Sequence, residues 1–343
     1  MSNFFKVVRK LAVPTGHILV IEGKNPEAKQ PLLELVSLGD YGKEANIKAS
    51  FLGLDKDFGE VRHQELMPLT EKWVITVSSQ YGCSMGCKFC DVPKVGPGVN
   101  ASLTDLYHQI YAGLACHPEV KQTKRLNVHI ARMGEPTWND NVLAFGANLP
   151  AELRGTLDNS LIHPVVSTML PRRNPHLQFF LESWMQIKNV IYEGDAGLQF
   201  SINSTSDQER DIMFSGNSHT LKEISELGKA IPDPIGRKIT LNFAVADYEI
   251  DAQKLAELFD PKKFLVKLTP MHKTDTALAN AVKTAGEYTT LAPYKHHEEA
   301  LKAAGFDVLV FVASKEEDEG RITCGNAIIS GTLPLCEYTE EQV

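Results

Sequence analysis

Cys83-Ser84-Met85-Gly86-Cys87-Lys88-Phe89-Cys90 is the stretch that decides how the rest of the chain is read. Three cysteines, spaced four and then three apart, follow closely on the apolar run from Trp73 to Val77, and a short loop lets them converge on one inorganic group. A structural zinc site favours paired C-x2-C units and a closed fourth ligand. Here a C-x3-C-x2-C loop supplies three thiolates and stops. A [4Fe–4S] cluster held by three thiolates keeps one iron free of protein. That iron can chelate the amino and carboxylate groups of S-adenosylmethionine (SAM), and one electron then breaks the sulfonium bond to give a 5′-deoxyadenosyl radical. This is chemistry that a cofactor supplies and side chains do not. Phe89, directly before the third cysteine, offers a ring to pack against the adenine. Cys83, Cys87 and Cys90 are thus the expected metal ligands, with zinc or an incidental set of thiols as the plainer alternatives.

The whole chain fits an ordinary soluble protein. Its 343 residues can bury a large core, and 43% hydrophobic with 23% charged residues is the usual globular balance. No apolar run approaches the ~20 residues that a membrane helix needs. The N-terminus, Met1 to Lys10, lacks a long apolar segment with a cleavage site, so export is not expected. Six cysteines, three of them committed to an oxygen-sensitive group, point to a reducing cytoplasm and away from a disulfide framework. A net charge of −8 argues against broad, non-specific nucleic-acid binding, though a local basic patch is compatible with it.

Outward from the cysteine loop, three parts are expected. Residues 1–70 read as a small β-rich module, with alternating apolar stretches such as 17–22 and 32–36 broken by Gly, Pro and Lys turns. Residues 71–315 alternate strand and helix. A strand at 73–78 feeds the loop, and a helix capped by Ser102 or Thr104 carries the stripe Leu106, Ile110, Leu114, with Cys116 near its end read as a buried free thiol. Further strands are expected at 126–131, 162–168, 198–201, 239–246, 264–268 and 308–313. Helices are expected at 139–148, 176–187, 220–230, 252–258 and 294–304. Strand-then-helix order implies a parallel sheet with helices outside. Seven strands fall short of a closed eight-stranded barrel, so the expected fold is α/β, a partial (β/α)6-like barrel with functional groups at the C-terminal strand ends. Residues 316–343 form a C-terminal segment.

Several strand ends carry groups suited to a cofactor. Arg132-Met133-Gly134-Glu135-Pro136 combines a glycine that permits close backbone approach with a carboxylate able to accept from an ammonium group. A Gly-Glu-Pro sequence can equally be only a turn. Ser167-Thr168 and Ser201-Ile202-Asn203-Ser204 offer hydroxyls and amides for ribose or carboxylate, as exposed strand ends often do without function. His272, at the end of another strand, is a ligand contact or a structural histidine.

Taken together, these blocks resemble the radical-SAM RNA adenine methyltransferases, which methylate carbon 2 or carbon 8 of adenosine. The likeness runs over residues 60–330. It rests on 77–90, on Asn127-Val128 through Met133-Gly134-Glu135-Pro136 and Asn139, on Ser201-Ile202-Asn203 followed by Asp207, Arg210 and Asp211, and on Cys324-Gly325-Asn326. The resemblance implies a radical-SAM barrel in which Cys83, Cys87 and Cys90 bind the [4Fe–4S] cluster. Gly134, Glu135, Ser167, Ser201, Asn203 and His272 would contact SAM. Cys324 would carry the methyl group, and an electron donor such as flavodoxin or ferredoxin and an RNA or nucleotide substrate would be the partners. Two positions depart from the family pattern. Thr76 stands where the family has the cysteine that resolves the covalent intermediate, leaving Cys116, Cys336, an external thiol or another reaction for that task. The family's proton-accepting glutamate falls near His63 and Glu65, either of which can act as a base or lie in a surface turn. Two other outcomes suit the same chain: direct hydrogen abstraction from a small molecule or protein, and a cluster-bearing accessory protein without turnover.

Overall fold

A computed structural model describes residues 5–157, 160–284 and 287–343; the first four residues of the N-terminal stretch lie outside the described residues. The strands are β1 (Lys6–Val13), β2 (Gly16–Glu22), β3 (Leu32–Leu38), β4 (Ile47–Lys48), β5 (Trp73–Val77), β6 (Gln80–Tyr81), β7 (Val99–Asn100), β8 (Arg125–Ile130), β9 (Leu161–Thr168), β10 (Gly197–Ser201), β11 (Ile239–Val245), β12 (Phe264–Pro270), β13 (Val308–Phe311) and β14 (Thr339–Glu341). Twelve of them form one sheet in the order β14-β1-β2-β3-β5-β8-β9-β10-β11-β12-β13-β4, and β6 pairs with β7 apart from it. The run from β5 to β13 is parallel throughout, seven strands in chain order. Among the described residues no pairing joins the β14 and β4 ends, so the barrel is open.

Alternation explains which face goes where. In β5, Trp73, Ile75 and Val77 are fully buried against the outer helices, together with Val128 and Ile130 of β8. The helix Leu103–Leu114 lays Leu106 and Ile110 onto that layer. Burying each such side chain stabilises the fold by roughly 1.5–3 kcal/mol. Ser102 caps the helix, accepting from the Asp105 amide while the Asp105 carboxylate accepts from the Ser102 amide at 2.9 Å, a reciprocal box that satisfies two orphan donors. The same carboxylate accepts from the Tyr81 hydroxyl at 2.8 Å, so the helix start also fixes the base of the cysteine loop.

The expected separate module at residues 1–70 is joined to the core. β3 pairs antiparallel with β5, Val36 opposite Thr76, so the N-terminal strands continue the barrel's own sheet. The C-terminal segment is tied in at the same edge. β14 pairs with β1, and Ile322 and Ile328 pack with Leu11, Ile18, Val20 and Val36 in a second apolar cluster. Apolar residues on both faces of β1–β3 explain the continuity, since a strand buried on two sides cannot stand alone as a small sheet. The acidic tail is partly neutralised there: Arg9 meets Glu340 and Lys10 meets Glu341, each at 2.7 Å. Among the described residues no helix is long and apolar enough to cross a membrane.

Candidate functional site

The cysteine loop leaves β5 at the C-terminal end of the parallel strands and is fastened from three sides. The Cys83 amide donates to the Gly96 carbonyl at 3.0 Å, closing the loop on itself. From the segment after β10, Lys88 N donates to Met213 O at 2.9 Å, Ser215 Oγ to Gly86 O at 2.6 Å and Asn217 Nδ2 to Met85 O at 2.9 Å. From the segment after β12, Thr274 Oγ1 donates to Phe89 O at 2.8 Å and Asn280 Nδ2 to Lys88 O at 2.9 Å. Asp91 Oδ1 is gripped by Lys94 at 2.7 Å and by the Thr276 amide at 2.9 Å. Loops that carry function are positioned by a rigid scaffold in this way.

The three thiols lie among Met85, Met213, Phe214 and Phe89, whose ring meets Phe214 edge-on at 6.0 Å. Burial pushes the Cys83 thiol up to about 12 and holds Cys87 and Cys90 well above the ordinary range. Cys90 and Cys83 raise Cys87 further, Cys83 raises Cys90, and Glu135 raises Cys83 and Cys87. Thiolates in such a place need a metal charge to form. Among the described residues no three His, Cys, Asp or Glu groups are gathered for a single ion.

Gly134 and Glu135 border the same space. Gly134 has φ 93°, and a Cβ there would stand 2.5 Å from Gln80 Cβ, so only glycine fits between β8 and the loop. The Glu135 carboxylate accepts from the Thr137 amide at 3.1 Å, from its hydroxyl at 2.8 Å and from the Met169 amide at 2.8 Å. Burial raises its pKa against those hydrogen bonds, and no cation pairs with it among the described residues. A buried carboxylate without a cation suits a ligand's ammonium group.

Cys324 reaches this rim from the other end of the chain. The Asp91 amide donates to the Gly325 carbonyl at 2.7 Å. Gly325, at φ 88°, packs so closely that a Cβ would sit 3.2 Å from Phe89 O and 3.8 Å from Cys90 Cα. The exposed Cys324 sulfur lies 3.8 Å from the Ala131 carbonyl at the end of β8. Burial of its surroundings raises the thiol's pKa, while Lys267 and Arg132 pull it back.

A buried ion pair holds that segment in place. Arg132 Nε donates to Glu34 Oε1 at 2.9 Å, and its guanidinium also donates to Arg321 O at 2.8 Å and Thr323 O at 3.2 Å. Glu34 accepts in addition from the Ile328 and Ile329 amides at 3.2 and 3.1 Å. Both side chains are essentially inaccessible. Glu34→Ala leaves Arg132 buried and unpaired, and is expected to cost about 3–5 kcal/mol in denaturant unfolding and to loosen residues 321–329 in hydrogen exchange.

The remaining expected residues divide. Ser167 accepts from Gln199 Nε2 at 3.2 Å, and Ser201 and Asn203 stand at the end of β10. Asn203, at φ 61°, accepts from the Ala244 amide at 3.0 Å, which ties β10 to β11. Arg210 braces that end through the Ile202 carbonyl and through Ser218 Oγ at 2.7 Å. His272 turns its ring to Asp318, 3.1 Å away, and stacks on Tyr288. His63 and Glu65 make no bond to the loop or to Cys324. His63 Nε2 lies 3.1 Å from Val312 O, beside Tyr41, and Glu65 is exposed. Cys116 packs on the helix side of the sheet, whereas Cys336 packs with Ile322 and Ile328 on the opposite face.

Sequence reasoning missed Glu34, Arg132 and an interior pair, Lys267 and His129. Burial lowers Lys267 to about 8, with Cys324 pulling the other way. His129 falls to about 3 through burial and the nearby Lys267. The signal was present: Lys267 is a lone cation within the apolar strand Phe264-Leu265-Val266-Lys267-Leu268.

No family model matches the chain. It is similar to the probable dual-specificity RNA methyltransferase RlmN of Aquifex aeolicus, 29% identical over 239 residues, which is 67% of this chain and 64% of that protein. It is also similar to the dual-specificity RNA methyltransferase RlmN of Sorangium cellulosum, 25% identical over 263 residues, 75% of this chain and 62% of that one. The matches therefore span less than two thirds of these relatives' length. Among solved structures, a radical SAM methyltransferase from Sphaerobacter thermophilus shares the fold, with a TM-score of 0.62 over 94% of this chain and 80% of that one at 17% identity.

Proposed function

We infer, from a chain whose homologues are RlmN-type radical-SAM RNA methyltransferases, that this protein methylates an adenine in RNA or a related nucleotide, with Cys324 as the methyl carrier. The observation that carries the reading is the bond from the Asp91 amide to the Gly325 carbonyl at 2.7 Å, which seats the Cys324 turn on the cysteine loop. When bound, a [4Fe–4S] cluster and SAM would supply an activated methyl group and, after one-electron cleavage, a 5′-deoxyadenosyl radical. Cys83, Cys87 and Cys90 would hold the cluster. Glu135 would accept from the SAM ammonium group, Gly134 would let the backbone approach, and Phe89 would cover the adenine. Ser167, Ser201 and Asn203 would meet the rest of the cofactor. Cys324 would take the methyl group as a thioether and present it to the target ring.

Thr76 carries no thiol, so release of the product falls to Cys336, which shares the inner face with the Cys324 segment, or to an external thiol. Thr76 also favours a second reading, in which the radical takes hydrogen directly from a small molecule or protein and no methyl carrier is used. Product analysis separates the two. Methyl transfer yields S-adenosylhomocysteine from one SAM and 5′-deoxyadenosine with methionine from a second, together with a methylated adenine. Direct abstraction yields 5′-deoxyadenosine and methionine alone, and that result would remove the first reading.

A further inference from the structure

A cavity of about 550 Å3 opens beside the cysteine loop, between that loop, Asn25 and Glu27 of the N-terminal region, and Trp138, Arg173 and Asn217. Its size is that of a small-ligand site, and its lining is unusual for this protein. Trp138 ends the turn Pro136–Trp138 directly after Glu135. Its backbone is fixed, the amide donating to Glu135 O at 3.2 Å and the carbonyl accepting from Asn100 Nδ2 at 2.7 Å. Its indole is partly exposed and takes no hydrogen bond or ring partner among the described residues. Trp73 and Trp184 behave differently. Both are fully buried, and their indole N–H groups donate to Ser37 Oγ and Gly197 O, each at 2.9 Å. Arg173 is exposed with no carboxylate partner among the described residues, whereas Arg172 beside it reaches Asp211 at 3.9 Å. Asn217 spends its amide N–H on Met85 O, leaving the amide oxygen to accept, and the Glu27 carboxylate is a further acceptor.

A partly exposed indole that lines the cavity, an unpaired guanidinium and amide and carboxylate acceptors in one recess match the parts of a nucleotide. The base stacks, its exocyclic amine donates, and its phosphate meets arginine. A recess of that size is matched to one nucleotide turned out of a strand. We propose that this cavity takes one unpaired nucleotide of the RNA substrate, with its base on Trp138 and its phosphate on Arg173. The assignment deepens the RNA methylation reading and rests on it. Through Asn217 and Met85 the bound strand would lie against the cysteine loop itself.

The test uses the full chain and a short single-stranded oligoadenylate. Of the three tryptophans only Trp138 reaches solvent, so binding should quench the exposed fraction of the intrinsic fluorescence. Trp138→Leu should abolish the quench and weaken binding about tenfold, the loss of one stacked base. Arg173→Ala, at an exposed position where folding is not at stake, should weaken binding and lower the salt slope by about one phosphate's worth. A duplex of equal length should bind more weakly. Mass spectrometry of Cys324 on the same preparation, after incubation with SAM, keeps the two readings apart. S-methyl-Cys324 with oligonucleotide binding unchanged in both variants overturns the cavity assignment alone. Absence of both methylation and binding overturns the cavity and the methylation reading together.

Discussion

Alanine at position 87 is expected to remove iron from the purified protein and to reduce SAM cleavage under dithionite to the background level, while the fold survives. Cys87 is the most enclosed of the three loop cysteines, buried with Met85, Met213 and Phe214. Its replacement would leave two of the three thiols to hold the cluster, in a pocket whose other near neighbours, Met85, Met213 and Phe214, offer no thiolate. The apo fold has little to lose. The loop is held by backbone, hydroxyl and side-chain amide bonds from Gly96, Met213, Ser215, Thr274 and Asn280, none of which involves the Cys87 sulfur. Deleting one buried sulfur should cost about 1 kcal/mol. Iron and sulfide analysis, with far-ultraviolet circular dichroism as the control, checks the expectation. A variant that keeps its iron would remove Cys87 from the ligand set.

The second large effect is at Cys324. Cys324→Ala should bring RNA methylation to background while 5′-deoxyadenosine is still formed, because the cysteine loop and Glu135 are untouched by the change. Cys324 is exposed, and the one bond of its sulfur among the described residues is a long contact to Ala131 O, so the substitution should shift stability by less than about 0.5 kcal/mol. Cys324→Ser should behave like alanine, since a hydroxyl is a far weaker nucleophile than a thiol. Retained methylation in either variant would place the methyl carrier elsewhere. Loss of 5′-deoxyadenosine as well would mean that the segment shapes the cofactor site instead of serving as an acceptor.

Much of this site could be read before any coordinates. The cysteine spacing, the Gly134-Glu135 turn and Cys324 are local signals, and the structure brings them to one rim of the parallel strands. The strands also read well, because apolar runs bounded by Gly, Pro and capping residues recur after every helix. Ser102 shows its cap in the sequence three residues before Asp105. What escaped notice depends on contacts across the chain. Glu34 is an acid inside an apolar strand, and only Arg132, 98 residues later, explains it. The joining of β3 to β5 sets Val36 against Thr76, a pairing that no local pattern records. His272 stands at a strand end as the sequence shows, and Asp318, 46 residues on, partners its Nδ1, a contact that no local pattern records. A one-dimensional pattern identifies groups able to bind a cofactor. It does not show which of them the fold has already partnered.

The most direct test of the account is the mass of the Cys324 peptide after anaerobic incubation of the reconstituted protein with SAM carrying a trideuterated methyl group. A deuterated methyl thioether on Cys324, absent from the Cys87→Ala protein, is the predicted outcome. An unmodified Cys324 in protein that cleaves SAM to 5′-deoxyadenosine would contradict it.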